Sequence, residues 1–540
     1  MDLSQLEIKG IRDPWKEGIA KGWHVIDGTT VTDEMTLEAD VVIVGTGAGG
    51  GVSAEILSQA GLKVVMVELG RLKSSDQFDM HEGEAYRDLY MDGAARATKD
   101  GVIGIFQGRA VGGTTVVNWT SSFRTPPQTL QYWSDRFGVA GLSEAEMAPW
   151  FEQMEKRLNI SKWALPPNAN NDMIKRGCEK LEWAWDIIPR NVSGCWNLGY
   201  CGMGCPTNAK QSMLVTTIPS AMEAGATLIH SCHAEMIVHQ GGKASGVICY
   251  TLDAQRQKTH RITIQADTVV ASGGSINTPA FLLRSELPDP HQRIGKRTML
   301  HCTTFSVGDY AEPIAGYYGA PQSLYSDEFA WKDGVDGAVG FKIEMMPTHP
   351  GIMSELLAGF GKQARAEMER TPYYAASIGI LRDGFNEQSE GGTVRLDDNG
   401  DPTIDYPINE YILDGVRRSH LAQVEMLFAA GADRARAGHS DARFTHSWKE
   451  AKAQIDGLKY QPGFPVIGCA HVMGGCAMGN DEREAVTDNN GKLLHMDNVY
   501  IMDGSVFPTS IGANPQLSIY GVSARNATLL AQRLRSAVGA

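Results

Sequence analysis

The apolar residues of the chain fall into short runs that have two different patterns. Between about residues 40 and 70, a Val-rich run, a glycine turn opening a helix, and a second Val-rich run follow one another as ADVVIVG, GAGGGVSAEILSQAG and LKVVMVELG. Apolar runs of this length are typical of buried parallel strands. Two further strands of the same kind are predicted at residues 268–279 and 498–505. The chain therefore starts an α/β unit early and returns to it near its end.

The pattern changes between residues 316 and 460. FKIEMM, AASIGIL and VRLDDNGDPTIDY indicate antiparallel strands, and DDNGDP is a turn signal. We predict an α/β fold in which a Rossmann-like nucleotide-binding domain is interleaved with a substrate domain built on a mainly antiparallel sheet. The predicted parts are an N-terminal extension (1–38), the nucleotide-binding domain (39–125, 206–315 and 461–540) and the substrate domain (126–205 and 316–460).

Composition narrows the classes of function. Glycine accounts for 60 of the 540 residues, which indicates many tight turns and backbone close to a ligand. The net charge of −14 argues against nucleic acid or an anionic membrane as the main partner. We find no apolar run long enough to span a bilayer and no secretory signal at the start, and nine cysteines are too few for a disulfide scaffold. A cytoplasmic enzyme is the default expectation.

The glycine turn after the first strand fits the G-x-G-x-x-G pattern of dinucleotide sites. Gly47 would let backbone approach a pyrophosphate, and Gly50 would let the helix pack closely on the strand. Glu68 ends the next strand, where a carboxylate can bind ribose hydroxyls; this favours FAD or NAD over NADP. The candidate nucleotide-binding residues are Gly45, Gly47, Ala48, Gly49, Gly50 and Glu68.

Four further motifs follow this turn along the chain, in this order: GRAVGGTTVVN (108–118), ASGGSINTP (271–279), HVMGGCAMG (471–479) and MDGSVFPTSIGANP (502–515). Together, from about residue 39 to the end, they resemble the glucose–methanol–choline (GMC) family of FAD-dependent oxidoreductases. The resemblance implies FAD held without a covalent bond, since Val117 stands where some members carry the attaching histidine. It assigns further FAD contacts to Gly112, Gly113, Thr114, Asn118, Ala234, Asp503, Gly504, Asn514 and Pro515.

The resemblance also assigns the catalytic pair to His471 and Asn514, and it implies oxidation of a small-molecule alcohol or sugar. A neutral imidazole at His471, with an ordinary pKa of about 6.5, would take the hydroxyl proton as hydride passes to flavin N5. Asn514 would donate a hydrogen bond to the same oxygen. A lyase on the same scaffold with structural FAD is the main alternative, ahead of a non-catalytic subunit or an NAD dehydrogenase. Candidate pocket aromatics are Trp119, Tyr317 and Tyr318.

Cys195, Cys201 and Cys205 form a C-x5-C-x3-C cluster. The stretch GYCGMGCPTNAKQS is similar to the long-chain alcohol oxidase branch of the family. The spacing also resembles bacterial FAD glucose dehydrogenases, which implies a [3Fe-4S] cluster, a small helper subunit, a cytochrome acceptor and export to the periplasm with a partner. A disulfide, or reduced thiols packing a glycine-rich loop, are the alternatives. Cys469 and Cys476, on either side of His471, are expected to be packing residues.

Overall fold

The structure is a computed structural model that describes residues 11–357 and 359–538. The described residues form these α-helices: α1 (Pro14–Ala20), α2 (Ala48–Gln59), α3 (Glu82–Leu89), α4 (Pro127–Phe137), α5 (Glu144–Arg157), α6 (Ala169–Leu181), α7 (Thr217–Glu223), α8 (Gly274–Arg284), α9 (Pro350–Leu356), α10 (Gly361–Glu369), α11 (Glu410–Ala429), α12 (Trp448–Gly457) and α13 (Gln516–Val538).

The strands of the same residues are β1 (His24–Asp27), β2 (Met35–Val44), β3 (Val64–Val67), β4 (Ile103–Ile105), β5 (Ile160–Lys162), β6 (Asp186–Ile187), β7 (Pro189–Asn191), β8 (Thr227–His230), β9 (Cys232–Gln240), β10 (Lys243–Leu252), β11 (Lys258–Ala271), β12 (Lys296–Met299), β13 (Thr303–Asp309), β14 (Leu324–Phe329), β15 (Phe341–Met346), β16 (Tyr374–Leu381), β17 (Gly392–Leu396), β18 (Pro402–Asp405), β19 (Arg434–Ala437), β20 (Ile467–Cys469), β21 (Met473–Gly474) and β22 (Val499–Ile501).

The nucleotide-binding sheet has the order β1-β8-β3-β2-β11-β10-β9, with β22 also pairing with β11. Neighbouring strands are parallel in the part β1-β8-β3-β2-β11 and where β22 pairs with β11. Beyond β11, the sheet continues with β10 and β9, which pair antiparallel. The Val-rich runs form β2 and β3, and Val41, Val42 and Ile43 are fully buried. The predicted fold class is confirmed, and the C-terminal strand returns to this sheet as expected.

The second sheet has the order β4-β20-β13-β16-β15-β14-β6, with β19 beside β13, and is antiparallel except where β20 meets β4. Helix α11 covers one face, where Ser419 contacts Gly379. On the opposite face, Phe305 pairs with Ile378 and Ile378 with Glu344. Because side chains alternate along a strand, these three share one face, from which Phe305 and Ile378 line a cavity.

Two segments are organised differently from the sequence prediction. The hairpin β17–β18, with its predicted Asp397 turn, joins a separate small sheet, β18-β17-β12-β21, because β17 pairs with β12. Within the segment expected to be an extension, α1 packs through a buried Trp15, whose indole Nε1 donates to Leu214 O at 2.8 Å, and β1 pairs with β8. The four residues of β1 are too few to show a strand period in sequence.

Among the helices described, none is both long enough and apolar enough to cross a lipid bilayer.

Candidate active site

Two different constraints require glycine in the first turn: the packing of the protein itself and the space needed by a ligand. At Gly45, whose φ is +97°, an added Cβ would lie 2.3 Å from Ser272 O; at Gly49 it would lie 1.6 Å from Met502 O. At Gly50 it would lie 2.0 Å from the carbonyl oxygen of Gly45. The protein's own packing therefore excludes a side chain at these three positions. Gly45 and Gly49 line the cavity, whereas Gly50, which the motif also includes, lies outside its wall.

Gly47 is the exception, and it indicates a ligand. A Cβ there would have Gly113 Cα, 3.9 Å away, as its nearest described neighbour. Both glycines line a cavity of about 760 Å³, and the N-terminus of α2 begins one residue later. Free N–H groups at a helix start bind phosphate. The residues present therefore fit the pyrophosphate of a dinucleotide such as FAD, which would lie over Gly47.

Glu68 holds the same turn in place. Its Oε2 accepts from Thr46 N at 3.0 Å and Thr46 Oγ1 at 2.7 Å, and its Oε1 accepts from Gly70 N at 2.8 Å. Burial raises the pKa of this carboxyl, while the three hydrogen bonds oppose the rise. Glu68 lines the cavity where β3 ends, so it can meet a ribose while it also shapes the phosphate turn.

A buried carboxylate joins two motifs that are far apart in sequence. Asp503 Oδ2 accepts from Gly274 N at 2.8 Å and from Thr278 Oγ1 at 2.6 Å, at the start of α8. Its Oδ1 accepts from Ser505 N at 2.9 Å. Asp503 thus ties the end of β22 to α8 at the edge of the cavity. Burial raises its pKa.

Most of the predicted residues line this one cavity. Its wall includes Gly45, Gly47, Ala48, Gly49, Glu68, Gly113, Thr114, Val117, Asn118, Trp119, Ala234, Cys469, His471, Asp503, Gly504, Asn514 and Pro515. Gly112 lies outside it: its φ is +98°, and an added Cβ would meet Val116 Cγ2 at 2.9 Å. Tyr317 and Tyr318 also lie outside, and Tyr318 is 58% exposed. Cys476 is fully buried, as a packing residue would be.

His471 lies against a second imidazole. Its ring centroid is 5.3 Å from that of His301, and burial lowers the pKa of His471 to about 4. Burial, and then His471, lower the pKa of His301. Within residues 11–357 and 359–538, neither ring nitrogen of His301 nor Nδ1 of His471 has a hydrogen-bond partner. Both rings are therefore neutral at pH 7, and His471 is free to accept a proton.

Asn514 pairs with a carboxyl group from the second sheet. Its Nδ2 donates to Glu344 Oε2 at 3.2 Å, while Asn514 Oδ1 and Glu344 Oε1 are buried without partners in the described part of the chain. Burial raises the pKa of Glu344 to about 7. Sequence reasoning missed both Glu344 and His301. Glu344 had a signal, since two charged residues interrupt the apolar strand FKIEMM; His301 had none.

Part of the cavity wall is apolar. Residues of the second sheet and of α9 form it: Phe305, Met346, Ile352, Leu356, Ile378 and Ile380. Trp119 packs against the same cluster. A hydrocarbon chain would lose its hydration on entering this part of the cavity, which favours apolar ligands.

The cysteine cluster lies next to the cavity. All three thiols are free, and burial raises the pKa of Cys201. Arg190 Nη2 lies 3.8 Å from Cys201 Sγ, and Lys210 Nζ donates to Cys201 O at 2.7 Å. The described residues contain no group of three or more His, Cys, Asp or Glu side chains that could hold a metal ion. Cys201 is thus held by hydrogen bonds, and the residues that the structure describes give no evidence for the predicted [3Fe-4S] cluster.

A dinucleotide cradle that opens onto a neutral imidazole and a carboxamide, beneath an antiparallel sheet, defines an FAD-dependent oxidoreductase. The chain belongs to the GMC oxidoreductase family: the family's N-terminal domain matches residues 86–303 and its C-terminal domain matches residues 387–523. The resemblance predicted from the motifs is confirmed, as is an enzyme of this kind.

Individual relatives agree with this family assignment. A GMC-type oxidoreductase of Mycobacterium tuberculosis is 32% identical, over 90% of this chain and 74% of its own. The long-chain-alcohol oxidase FAO3 of Arabidopsis thaliana is 27% identical, over 94% and 69%. Among solved structures, a formate oxidase of Aspergillus oryzae has a TM-score of 0.69 at 15% identity, covering 94% of this chain and all of its own. That similarity concerns the fold alone.

Proposed function

We propose that this protein oxidises an apolar alcohol to its carbonyl, with His471 as the base. The observation that carries the proposal is that His471 and Asn514, from different segments, line one cavity together with the Gly47 turn. The relatives named long-chain-alcohol oxidases support a hydrocarbon substrate, and the apolar wall around Phe305 and Ile378 supports it independently. The oxidase names among the relatives support dioxygen as the final acceptor.

The roles of the chain's own residues follow from their environment. The apolar wall binds the hydrocarbon part and excludes water, which strengthens polar interactions at the reacting hydroxyl. The neutral imidazole of His471 accepts the hydroxyl proton. Asn514 lies where a carboxamide can hydrogen-bond the same oxygen as its negative charge develops. When bound, FAD supplies the acceptor for the hydrogen and the electron pair that leave the carbon.

Anaerobic titration of the FAD-loaded protein tests the proposal. The probes are linear primary alcohols of increasing length, with glucose for comparison. We expect the longer alcohols to bleach the flavin absorbance at lower concentration than ethanol or glucose does, and air to restore it. Absence of bleaching by every alcohol would refute the proposal.

His471→Ala tests the base. We expect flavin reduction to slow by about 10²-fold or more, with FAD still bound. The matched control is His446→Ala, which removes an exposed histidine outside the cavity and leaves the rate unchanged. Reduction of the His471→Ala protein at the normal rate would remove His471 from this role.

The alternatives make different predictions. A lyase would cleave its substrate without bleaching the flavin. A sugar dehydrogenase that passes electrons through an iron–sulfur cluster to a cytochrome, with a helper subunit, would need side chains that bind the cluster. The part of the chain that the structure describes contains no group of three or more His, Cys, Asp or Glu side chains that could hold a metal ion. It would also be reduced by glucose in preference to an alcohol.

A further inference from the structure

Two charged residues lie side by side on β15, in the face of the second sheet that borders the cavity. Lys342 is already engaged: its Nζ lies 2.6 Å from Asp327 Oδ1, 4.1 Å from the ring centre of Phe123 and 3.9 Å from that of Tyr325. Glu344 is fully buried, and its described hydrogen bond is the one from Asn514 Nδ2. Glu344 is therefore coupled to Asn514, whereas Lys342 is paired with Asp327.

The Glu344–Asn514 pair has two chemically distinct arrangements. A carboxylate can only accept hydrogen bonds, so ionised Glu344 accepts one from the Asn514 NH₂ group, and the Asn514 amide oxygen then points away from Glu344. A protonated carboxyl can donate to the amide oxygen, which turns the NH₂ outward. The structure shows the first arrangement, with Asn514 Oδ1 unpartnered among the described residues.

We propose that Glu344 is a positioning residue whose proton decides which end of the Asn514 carboxamide faces the substrate oxygen. This rests on the proposed alcohol oxidation, in which that oxygen becomes negative and needs a donor. Protonated Glu344 presents the NH₂ group to it. Ionised Glu344 presents the amide oxygen and adds a second negative charge behind it, so both changes oppose the reaction.

The groups around Glu344 place this change near neutral pH. Burial raises its pKa to about 7, and Lys342 and the Asn514 hydrogen bond moderate the rise. From β14, Asp327 raises the pKa further, and Tyr325 is the other titratable side chain facing it. Its partner on β16 is Ile378, which does not titrate. Helix α11 packs on the opposite face of the sheet, and so does not face the carboxyl.

Glu344→Gln is the direct test, because an amide can donate to Asn514 Oδ1 at every pH. The rate of anaerobic flavin reduction by an excess of a bleaching alcohol is measured from about pH 5 to pH 9. In the unaltered protein we expect the rate to fall above about pH 7, approaching tenfold per pH unit until the residual rate of the first, ionised arrangement dominates. In Glu344→Gln we expect no alkaline decline, with the rate at the lowest pH within about threefold of the unaltered protein's.

Glu425→Gln is the matched control. Glu425 lies on α11 away from the cavity, and burial also raises its pKa. We expect this variant to keep the alkaline decline. A decline that persists in Glu344→Gln, or a Glu344→Gln protein that binds FAD but is not reduced at any pH, would overturn the proposal.

Infrared spectroscopy tests the pair without turnover. The carboxylic acid C=O band of the unaltered protein should titrate near pH 7, disappear in Glu344→Gln, and move to higher frequency in Asn514→Ala because it loses its hydrogen-bond partner. If Glu344→Gln does not fold, the unaltered protein still decides: band and rate midpoints more than about one pH unit apart refute the proposal. If no alcohol reduces the flavin, the proposed function fails, whereas the band still tests the pair.

Discussion

Replacement of Gly47 by alanine tests whether the open space above the first turn is the cofactor's. In the protein alone, the new Cβ would have its nearest neighbour 3.9 Å away, and the φ of −65° at this residue suits any amino acid. Alanine is a poorer N-cap than glycine, which destabilises the fold by up to about 1 kcal/mol. It also lowers the conformational entropy of the unfolded chain, which stabilises the fold by about 0.4–1 kcal/mol. The apoprotein should therefore unfold within about 1 kcal/mol of the unaltered one.

FAD should respond quite differently. A methyl group forced against a bound pyrophosphate costs about 1–3 kcal/mol, as overpacking does in protein interiors. At 1.4 kcal/mol per tenfold, the FAD dissociation constant should rise about 5- to 150-fold. Calorimetric titration of FAD into apoprotein measures this, and denaturant unfolding of the apoprotein measures the fold.

Gly49→Ala is the contrasting variant. Its Cβ would lie 1.6 Å from Met502 O, so we expect it to lose the fold itself. A Gly47→Ala protein that binds FAD as tightly as the unaltered one would refute the assignment of this space to the pyrophosphate. A well-folded Gly49→Ala protein would refute the packing argument.

Three further predictions concern protons and thiols. In the unfolded chain Glu344 is ionised above its ordinary pKa, whereas in the folded protein it holds its proton to about pH 7. The folded state therefore loses stability as pH rises from about 4.5 to 7. Glu344→Gln should raise the free energy of unfolding at pH 8 by up to about 3 kcal/mol, and should not raise it at pH 4. Burial lowers the pKa values of His301 and His420, so below about pH 6.5 the unfolded state binds more protons than the folded state. The free energy of unfolding therefore falls with pH in that range, by up to about 1.4 kcal/mol per histidine and pH unit. His301→Gln should reduce this pH dependence in urea titrations, and an unchanged dependence would contradict the prediction. Replacing Cys195, Cys201 and Cys205 by serine should leave flavin reduction intact, and iron analysis of the unaltered protein should find none in stoichiometric amount; three irons per chain would overturn this expectation.

The sequence predicts the cofactor side of the site much better than the substrate side. Gly47 and Glu68 belong to one strand–turn–helix–strand segment, so local pattern alone brings them together. His471 and Asn514 were assigned by motif order, and the structure places both at one cavity. Glu344 and His301 were missed because their neighbours depend on how β13, β16 and β15 pair across long stretches of chain. Tyr317 and Tyr318 were predicted as pocket residues from their aromatic type alone, and residue type carries no information about where a side chain points.

The Asp503 bridge has a consequence for how the protein matures. The start of α8 is held by a carboxylate made more than two hundred residues later, and the last residues of the cavity wall, Asn514 to Ile519, come later still. A chain growing on the ribosome therefore lacks a finished pocket until Ile519 has been added. We expect flavin loading to wait for the synthesis of this segment, so that truncation before residue 503 gives colourless protein even where the first glycine turn is intact.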